Sequence, residues 1–382
     1  MILSLRTAAF RNLADAAVAT PAKTVFLVGE NGQGKSNFLE ALYFCAYASS
    51  FRGARDTDIA RNGERDFSVN VKVTDADGSN GVNNVDNVGT NVGNAVTNAV
   101  TVKFENGRKG VFSGGKKVDD RKELLSVMPC IVFCHEDMDF VKGSPERRRW
   151  FFDQVISLYD SGYLEDLRCY KRAVKSRNAV LRDNLKQRPS AGVDALLDAL
   201  DSQCVFYGTK LMEKRETAAR LFSDVFKPLY EEVSGISGMT VKYSPSWKSG
   251  SEQENIGKRR SADVAAGITL SGPHRDRYSF NVDGVDFVIN ASTGQRRLLA
   301  LLLRVAQARR FSEATGRNPV LLLDDVLLEM DGEKRRRFLS VMPCYDQAFF
   351  TFLPEELYGQ YMESGTLVYR VRDGRVEDEA CR

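Results

Sequence analysis

The spacing of apolar positions along the chain changes several times, and each change predicts a different element. Residues 1–28 read as strand, turn, strand, and Val25–Val28 form a short continuous apolar run of the kind a fully buried strand requires. From Asn37 onward the period becomes helical, with Phe38, Leu39, Leu42 and Cys45 on one face. Residues 66–74 and 99–113 alternate apolar and polar positions around Asn-Gly and Gly turns, which predicts antiparallel hairpins. The stretch 75–100 between them is rich in Asn, Val, Gly and Thr and reads as an inserted low-complexity loop.

Helical spacing dominates from Pro145 to about Val233. Phe151, Phe152, Val155, Ile156 and Tyr159 open it, and Leu164, Leu167, Tyr170, Val174, Arg177 and Leu181 continue it. A turn at 188–192 precedes a second long helix from Val193 to about Phe226. Residues 244–261 read as a polar loop. Tyr278–Phe280 and Phe287–Ile289 read as strand, turn, strand, Gly294–Phe311 as a helix, and the run at 319–325 as a buried strand.

Composition narrows the class. An apolar fraction of 43% suits a protein with true cores, and the 382 residues suffice for two or three domains. No apolar run reaches the length of about 18 residues that a membrane span needs, and the N-terminus lacks a signal-peptide pattern. Seven scattered cysteines without a CxxC fit reduced thiols, so a cytoplasmic location is expected. Cys130, Cys134 and His135 lie close in sequence but lack a fourth ligand, and ordinary buried thiols are the expectation there. The net charge of +3, from 54 basic and 51 acidic side chains, means that a nucleic-acid site must come from local clustering.

The chemistry concentrates in the loop after the first buried strand: Gly29, Glu30, Asn31, Gly32, Gln33, Gly34, Lys35 and Ser36. This is G-x-x-x-x-G-K-S between a strand and a helix. Glycines let successive N–H groups turn inward around a phosphate, and the helix N-terminus adds partial positive charge. Lys35 would reach the outer phosphates of ATP, and the Ser36 hydroxyl would join a Mg²⁺ shell. The acidic partner of such a loop stands far along the chain. Asp324 ends the buried strand and would hold Mg²⁺, and Asp325 could orient or deprotonate an attacking water. Just upstream, Ser292, Thr293, Gly294 and Gln295 open a strongly apolar helix, a second anion-accepting N-terminus. One nucleotide does not need two such sites from one subunit. It does if the second closes over a nucleotide held by another copy, as in ABC-type ATPases.

The chain resembles the RecF family of bacterial recombination mediators, within the SMC/ABC-type ATPases. The residues that carry this are FRN (10–12), GENGQGKSNFLEAL (29–42), SSFR (49–52), KGSPERRRWFFD (142–153), YKRAVKSRNAVL (170–181), SGPHRD (271–276), STGQRR (292–297) and LLLDDVLLEMD (321–331). The resemblance implies an α/β ABC-type P-loop ATPase head, a mixed sheet with an antiparallel β subdomain, and an inserted helical lobe. The expected organisation is 1–128 for the N-terminal half of the head, 129–262 for the lobe and 263–382 for the C-terminal half. It also implies the signature role of Ser292–Gln295 in trans and a D-loop at Asp331. The implied activity is an ATP-dependent homodimer that binds DNA with weak, DNA-stimulated hydrolysis. It would work at gaps and stalled forks with RecO and RecR and take part in the SOS response.

The sequence departs from the wider ABC pattern in four places. The insertion at 75–100 has no place in the family pattern. No glutamine occurs in FCHEDMD (133–139), where His135, Glu136 and Asp137 are the candidate replacements. No histidine occurs in AFFTFLP (348–354), where Thr351 is the nearest polar group. Asp325 stands where a glutamate is more usual. The last three point to slow hydrolysis. An SMC-type architectural ATPase is the neighbouring reading, but the helical stretch allows arms of only about 45–60 Å at 1.5 Å per residue. A module holding ATP as a static ligand is the other. A transporter subunit would need the missing glutamine and histidine.

Candidate DNA contacts are Arg147, Arg148 and Arg149, the helix face of Arg168, Lys171, Arg172, Lys175 and Arg177, and Lys258, Arg259 and Arg260. A solvated helix face is the bland alternative. Arg52 and Arg275 are candidates for nucleotide contact or dimer bracing, with a structural ion pair as the other reading. His274 is expected to be a structural hydrogen-bonding residue.

Overall fold

The computed structural model describes residues 1–74, 97–186, 192–327, 330 and 332–379. In chain order its elements are β1 (Ile2–Ala8), β2 (Ala17–Ala19), β3 (Thr24–Val28), α1 (Lys35–Tyr47), β4 (Phe67–Thr74), β5 (Thr97–Glu105), β6 (Arg108–Ser113), β7 (Lys116–Lys117), α2 (Arg121–Val127) and β8 (Cys130–Phe133). There follow α3 (Met138–Lys142), α4 (Pro145–Ser157), α5 (Ser161–Lys186), α6 (Val193–Ser234), β9 (Thr240–Ser244), α7 (Glu252–Ala266), β10 (Arg277–Val282), β11 (Val285–Asp286), α8 (Phe287–Asn290) and α9 (Thr293–Thr315). The last are β12 (Val320–Leu323), α10 (Gly332–Ser340), β13 (Gln347–Phe352), β14 (Leu367–Arg372) and β15 (Arg375–Asp378).

The chain divides into two units. One holds residues 1–136, 316–335 and 342–382, the other 137–315 and 336–341. The expected boundary at 262/263 therefore falls inside the second unit, and Ser292–Gln295 belong with the helices rather than with the nucleotide loop. Strand β8, expected in the lobe, belongs to the first unit.

The first unit is built on two sheets. In one, β8, β12, β13, β3 and β14 run parallel, with β15 antiparallel at the edge, in the order β15-β14-β3-β13-β12-β8. The other is antiparallel in the order β2-β1-β4-β5-β6-β7, with a two-residue Asn106-Gly107 turn at positive φ between β5 and β6. Helix α1 packs against strands of both sheets, so ten of its thirteen residues are buried. That double coverage is why its apolar pattern is broad rather than a single stripe. Positive φ values at Ala9 and Arg11 turn the chain after β1. Residues 75–96 of the Asn/Val-rich insertion lie outside the described residues, as does most of the expected turn at 188–192.

The second unit is a helical assembly with a three-stranded antiparallel sheet in the order β11-β10-β9. The long pair α5 and α6 forms a hairpin around Tyr163, Leu167, Tyr170, Cys204 and Leu211, all buried. Helix α6 has 42 residues and runs past the expected end at Phe226, straight through Pro228. Proline removes one rung of hydrogen bonding, but buried Phe226, Leu229, Tyr230 and Val233 hold the last turns in place.

Two sequence expectations are corrected here. The polar loop expected over 244–261 contains most of α7. That helix buries only Ile256 and Asp263, and Asp263 pairs with Arg177 of α5 at 2.7 Å. A helix held by one buried apolar residue and by the ion pairs of Asp263 and Arg260 leaves no hydrophobic period to read. Likewise Phe287–Ile289 is not a strand. Asp286 caps it as a helical turn by accepting the Val288 N–H at 2.9 Å, so the strand after the turn is only Val285–Asp286, and β10 pairs with it on one side and with β9 on the other. No helix among the described residues is long and apolar enough to cross a membrane.

Candidate functional site

The parallel sheet dictates where the chemistry meets. Strand β13 lies between β3 and β12, so the loops leaving β3 and β12 emerge at the same sheet edge. Gly29 follows the first and Asp324 the second, with Thr351 of β13 between them.

The glycine loop is shaped by its surroundings. A Cβ on Gly29 would lie 2.3 Å from the Val371 carbonyl oxygen, and Gly34 sits at φ +117. The Gly32 carbonyl accepts from Asn12 Nδ2 at 3.1 Å, and the Gln33 carbonyl accepts from the Gly374 N–H at 2.9 Å. Lys35 is 3% exposed, and its Nζ donates to the carbonyls of Gly29 at 2.6 Å and Glu30 at 3.3 Å. The ammonium thus faces the inside of the loop with only carbonyl dipoles as partners. A depression of about 260 Å³ is lined by Glu30, Asn31, Lys35, Ser36, Arg52 and Asp325, among others.

Burial pushes the Asp324 carboxyl up to about 6, against the lowering influence of the nearby Ser36 hydroxyl. Arg52 Nη2 stands 3.8 Å from Asp324, and its Nη1 donates to Asn37 Oδ1 at 2.9 Å. Arg52 both lines the depression and stands 3.8 Å from Glu40, so its position accommodates both readings, nucleotide contact and a structural ion pair. Arg275 is exposed and has no ion pair among the described residues. The Ser36 hydroxyl and the Asp324 carboxylate are hard oxygen donors that fit Mg²⁺. Among the described residues no three His, Cys, Asp or Glu cluster to hold a metal, so phosphate oxygens would have to complete such a shell.

Asp325 adopts a left-handed backbone at φ 50. Its N–H donates to Thr351 Oγ1 at 2.7 Å, and the same hydroxyl donates to Asp325 Oδ1 at 2.7 Å. Thr351, where ABC proteins carry histidine, therefore fixes both ends of Asp325. Of the three candidates for the missing glutamine, Asp137 is taken: its carboxylate, 1% exposed, accepts from Arg304 Nε at 3.0 Å and Nη2 at 2.7 Å. Glu136 is exposed and close enough for its charge to act on Asp324.

Sequence reasoning missed the brace behind the loop. Arg11 forks onto Glu40 of α1 at 3.0 and 2.9 Å, Ser50 donates to the same carboxylate, and Asn37 Nδ2 donates to Asn12 Oδ1 at 2.8 Å. The available signal was the polar pair Arg11-Asn12 directly after buried Phe10.

In the second unit Ser292 and Gln295 form a reciprocal cap on α9. The Ser292 N–H donates to Gln295 Oε1 at 2.8 Å, and the Gln295 N–H donates to Ser292 Oγ at 3.2 Å. The cap leaves the N–H groups of Thr293 and Gly294 and the serine hydroxyl proton at the helix mouth. Asp331 lies outside the described residues.

Several expected DNA-contacting arginines are structural. Arg148 donates to the carbonyls of Tyr278 at 3.1 Å and Val141 at 2.6 Å. Arg149 donates to the Asp276 carbonyl at 2.7 Å. Arg177 is fully buried between Asp201 at 2.6 Å and Asp263 at 2.7 Å. Arg260 sits on α7 and pairs with Asp198 and Asp201. Arg172 lies 3.6 Å from Glu165. Arg147 is exposed, with Asp139 at 4.0 Å. Lys171 and Lys175 are exposed on α5. His274 bonds Tyr170 Oη at 2.8 Å and the Thr269 carbonyl at 3.0 Å, and burial pushes its pKa down to about 4.

The family model for the RecF/RecN/SMC N-terminal domain matches residues 1–375. The DNA replication and repair protein RecF of Treponema pallidum is 40% identical over 96% of this chain and 97% of its own. That of Bacillus subtilis is 30% identical over 92% of each. A solved structure of the recombination mediator protein RecF with ATP superposes with a TM-score of 0.85 at 25% identity, covering 99% of this chain and 97% of its own. An Smc head domain from Pyrococcus furiosus shares the fold at a TM-score of 0.55 and 16% identity, covering 99% and 95%.

Proposed function

Because the chain belongs to the RecF family of the RecF/RecN/SMC N-terminal-domain proteins, we propose that it is an ATP-dependent DNA-binding protein of replication and repair. The observation that carries this reading is one depression in which Lys35, with only carbonyl partners, lines the same space as Ser36, whose hydroxyl is near enough to Asp324 to lower its pKa.

ATP would lie along Gly29–Ser36, its phosphates met by loop N–H groups and Lys35. Ser36 and Asp324 would hold Mg²⁺, which offsets phosphate charge when bound. Asp325 would orient the attacking water, with Thr351 limiting its movement. Ser292–Gln295 of a second copy would close over the γ-phosphate, using the helix-mouth N–H groups and the serine hydroxyl. DNA would bind the ATP-joined dimer through Lys171, Lys175 and Arg147. The protein would act in the cytoplasm as a recombination mediator at gaps and stalled forks, with RecO and RecR as partners and a part in SOS induction.

Sedimentation with and without ATP·Mg²⁺, each with and without a gapped duplex, tests this. An ATP-dependent shift from monomer to dimer that also retains DNA is expected. Ser292→Arg should block that shift while ATP still binds. A monomer that binds ATP without shifting would leave ATP as a static ligand. That second reading is favoured by Thr351 occupying Asp325 and by the missing glutamine and histidine.

A further inference from the structure

Most cations of the second unit are consumed by the fold, which makes the exceptions informative. Helix α5 carries Arg168, Lys171, Arg172, Lys175, Arg177 and Arg182. Arg168 and Arg172 both face Glu165, at 3.9 and 3.6 Å, and Arg177 is buried between two aspartates. Lys171, Lys175 and Arg182 are exposed, and their side chains make no ion pair or hydrogen bond among the described residues. These three fall on one stripe of the helix, together with Asn178. They line a depression of about 360 Å³ whose wall includes Tyr170 and His274.

The wall combines apolar Val174 with polar groups that are tied to one another. His274 uses both ring nitrogens, one on Tyr170 Oη and one on the Thr269 carbonyl. Asn178 Oδ1 accepts from the Thr269 N–H and hydroxyl, both at 2.7 Å, which leaves its amide NH₂ as a donor. No carboxylate lines the depression. At 1.5 Å per residue the stripe from Lys171 to Arg182 is about 16 Å long, close to five steps of about 3.4 Å along one DNA strand. Three unneutralised cations beside amide and hydroxyl groups, with no acidic lining, suit a chain of phosphodiesters whose sugars can rest on Val174 and the Tyr170 ring.

We propose, resting on the DNA-binding reading above, that Lys171, Lys175 and Arg182 form a phosphate track that holds the backbone of one DNA strand on the second unit. The track reads no sequence, because its three cations meet phosphates, which carry no base information. It separates the cations of α5 into three that are unpaired, two (Arg168 and Arg172) that share Glu165 at the surface, and Arg177, which is buried in the fold.

The test is a titration of the full-length protein with ATP·Mg²⁺ against labelled oligo(dT) and a gapped duplex at several salt concentrations. Lys171→Ala/Lys175→Ala/Arg182→Ala should bind DNA about tenfold to a hundredfold more weakly at moderate salt. The slope of log K against log salt should fall by about 2 for the single strand and 3 for the duplex. ATP affinity and melting temperature should not change, and the charge-retaining Lys171→Arg/Lys175→Arg/Arg182→Lys should behave as the unaltered protein. Arg168→Ala/Arg172→Ala should lose less than a third as much slope. If the triple alanine variant keeps full affinity and slope, the track is wrong while the DNA-binding reading stands. If the unaltered protein binds neither DNA under any condition, both fall. If polyglutamate competes as well as DNA at equal charge, the face belongs to an acidic protein segment and the phosphate assignment is overturned.

Discussion

The two units use buried charge in opposite ways. In the first, the charges around the glycine loop have weak partners: Lys35 meets only carbonyls, Arg52 stands 3.8 Å from both Asp324 and Glu40, and burial pushes Asp324 up to about 6. In the second, buried Arg215 has a partner for every guanidinium nitrogen. Arg215 donates to Asp153 at 2.8 Å, Tyr163 Oη at 2.9 Å, the Pro273 carbonyl at 2.7 Å and Asp276 at 2.9 Å. Asp276 in turn accepts from the Ser246 N–H at 2.8 Å and from Tyr243. A charge left with loose partners raises the energy of the empty protein and is recovered when a ligand arrives. A charge with every donor matched gives up that option and defines the fold.

The largest effect should follow from breaking the saturated side. Arg215→Ala would leave Asp153 and Asp276 buried without their cation, at a cost of about 3–5 kcal/mol. Denaturant unfolding should record that loss. Arg215 also ties Asp153 of the 142–153 motif to Asp276 of the 271–276 motif, which gives both carboxylates a structural role. An Arg215→Ala protein as stable as the parent would remove the distinction between the units.

The next effect reads the same packing through pH. The burial that pushes His274 down to about 4 from 6.5 favours the neutral ring, so the folded state resists a proton that the unfolded chain accepts. Stability is therefore complete above pH 6.5 and is lost as pH falls toward 4, by up to ~3 kcal/mol. His274→Gln should flatten that acid limb in melts run across this window. The chain's other histidine, His135, is exposed, so a limb that persists in the variant would have to come from carboxylates.

What the sequence made legible follows the same division. The glycine loop, the Asp324 strand and the hairpins at 66–74 and 99–113 could be read because backbone rules act over a few residues. Arg177, Arg215 and helix α7 could not, because their partners lie far away in the chain. The spacing of Arg177 matches both an apolar stripe and a basic face, and only Asp201 and Asp263 decide between them. The brace of Arg11 on Glu40 was hidden for that reason too, although the motif FRN had marked the place.

On the unsaturated side the effect should move from stability to binding. Lys35→Ala should leave the nucleotide-free melting temperature unchanged or higher, since it removes a buried ammonium that has no carboxylate partner. Equilibrium titration with a fluorescent ATP should show a loss of about 2–3 kcal/mol, or roughly 30- to 150-fold in Kd. Parallel losses in stability and affinity would make Lys35 a folding residue like Arg215.

The smallest expected effect tests Thr351, which belongs to neither class. Its hydroxyl has both roles at Asp325, accepting the backbone N–H and donating to the carboxylate. Losing it releases a residue held at φ 50, a conformation that aspartate adopts only with local support. Thr351→Val should therefore cost about 1 kcal/mol of stability. It should lower ATP turnover about tenfold, equivalent to about 1.4 kcal/mol, with ATP affinity unchanged. Thr351→Ser keeps the hydroxyl and should restore turnover. Recovery by serine would assign the effect to positioning of Asp325. A valine variant that turns over faster than the parent would mean that Thr351 restrains Asp325, and slow hydrolysis would then be a built property of this site.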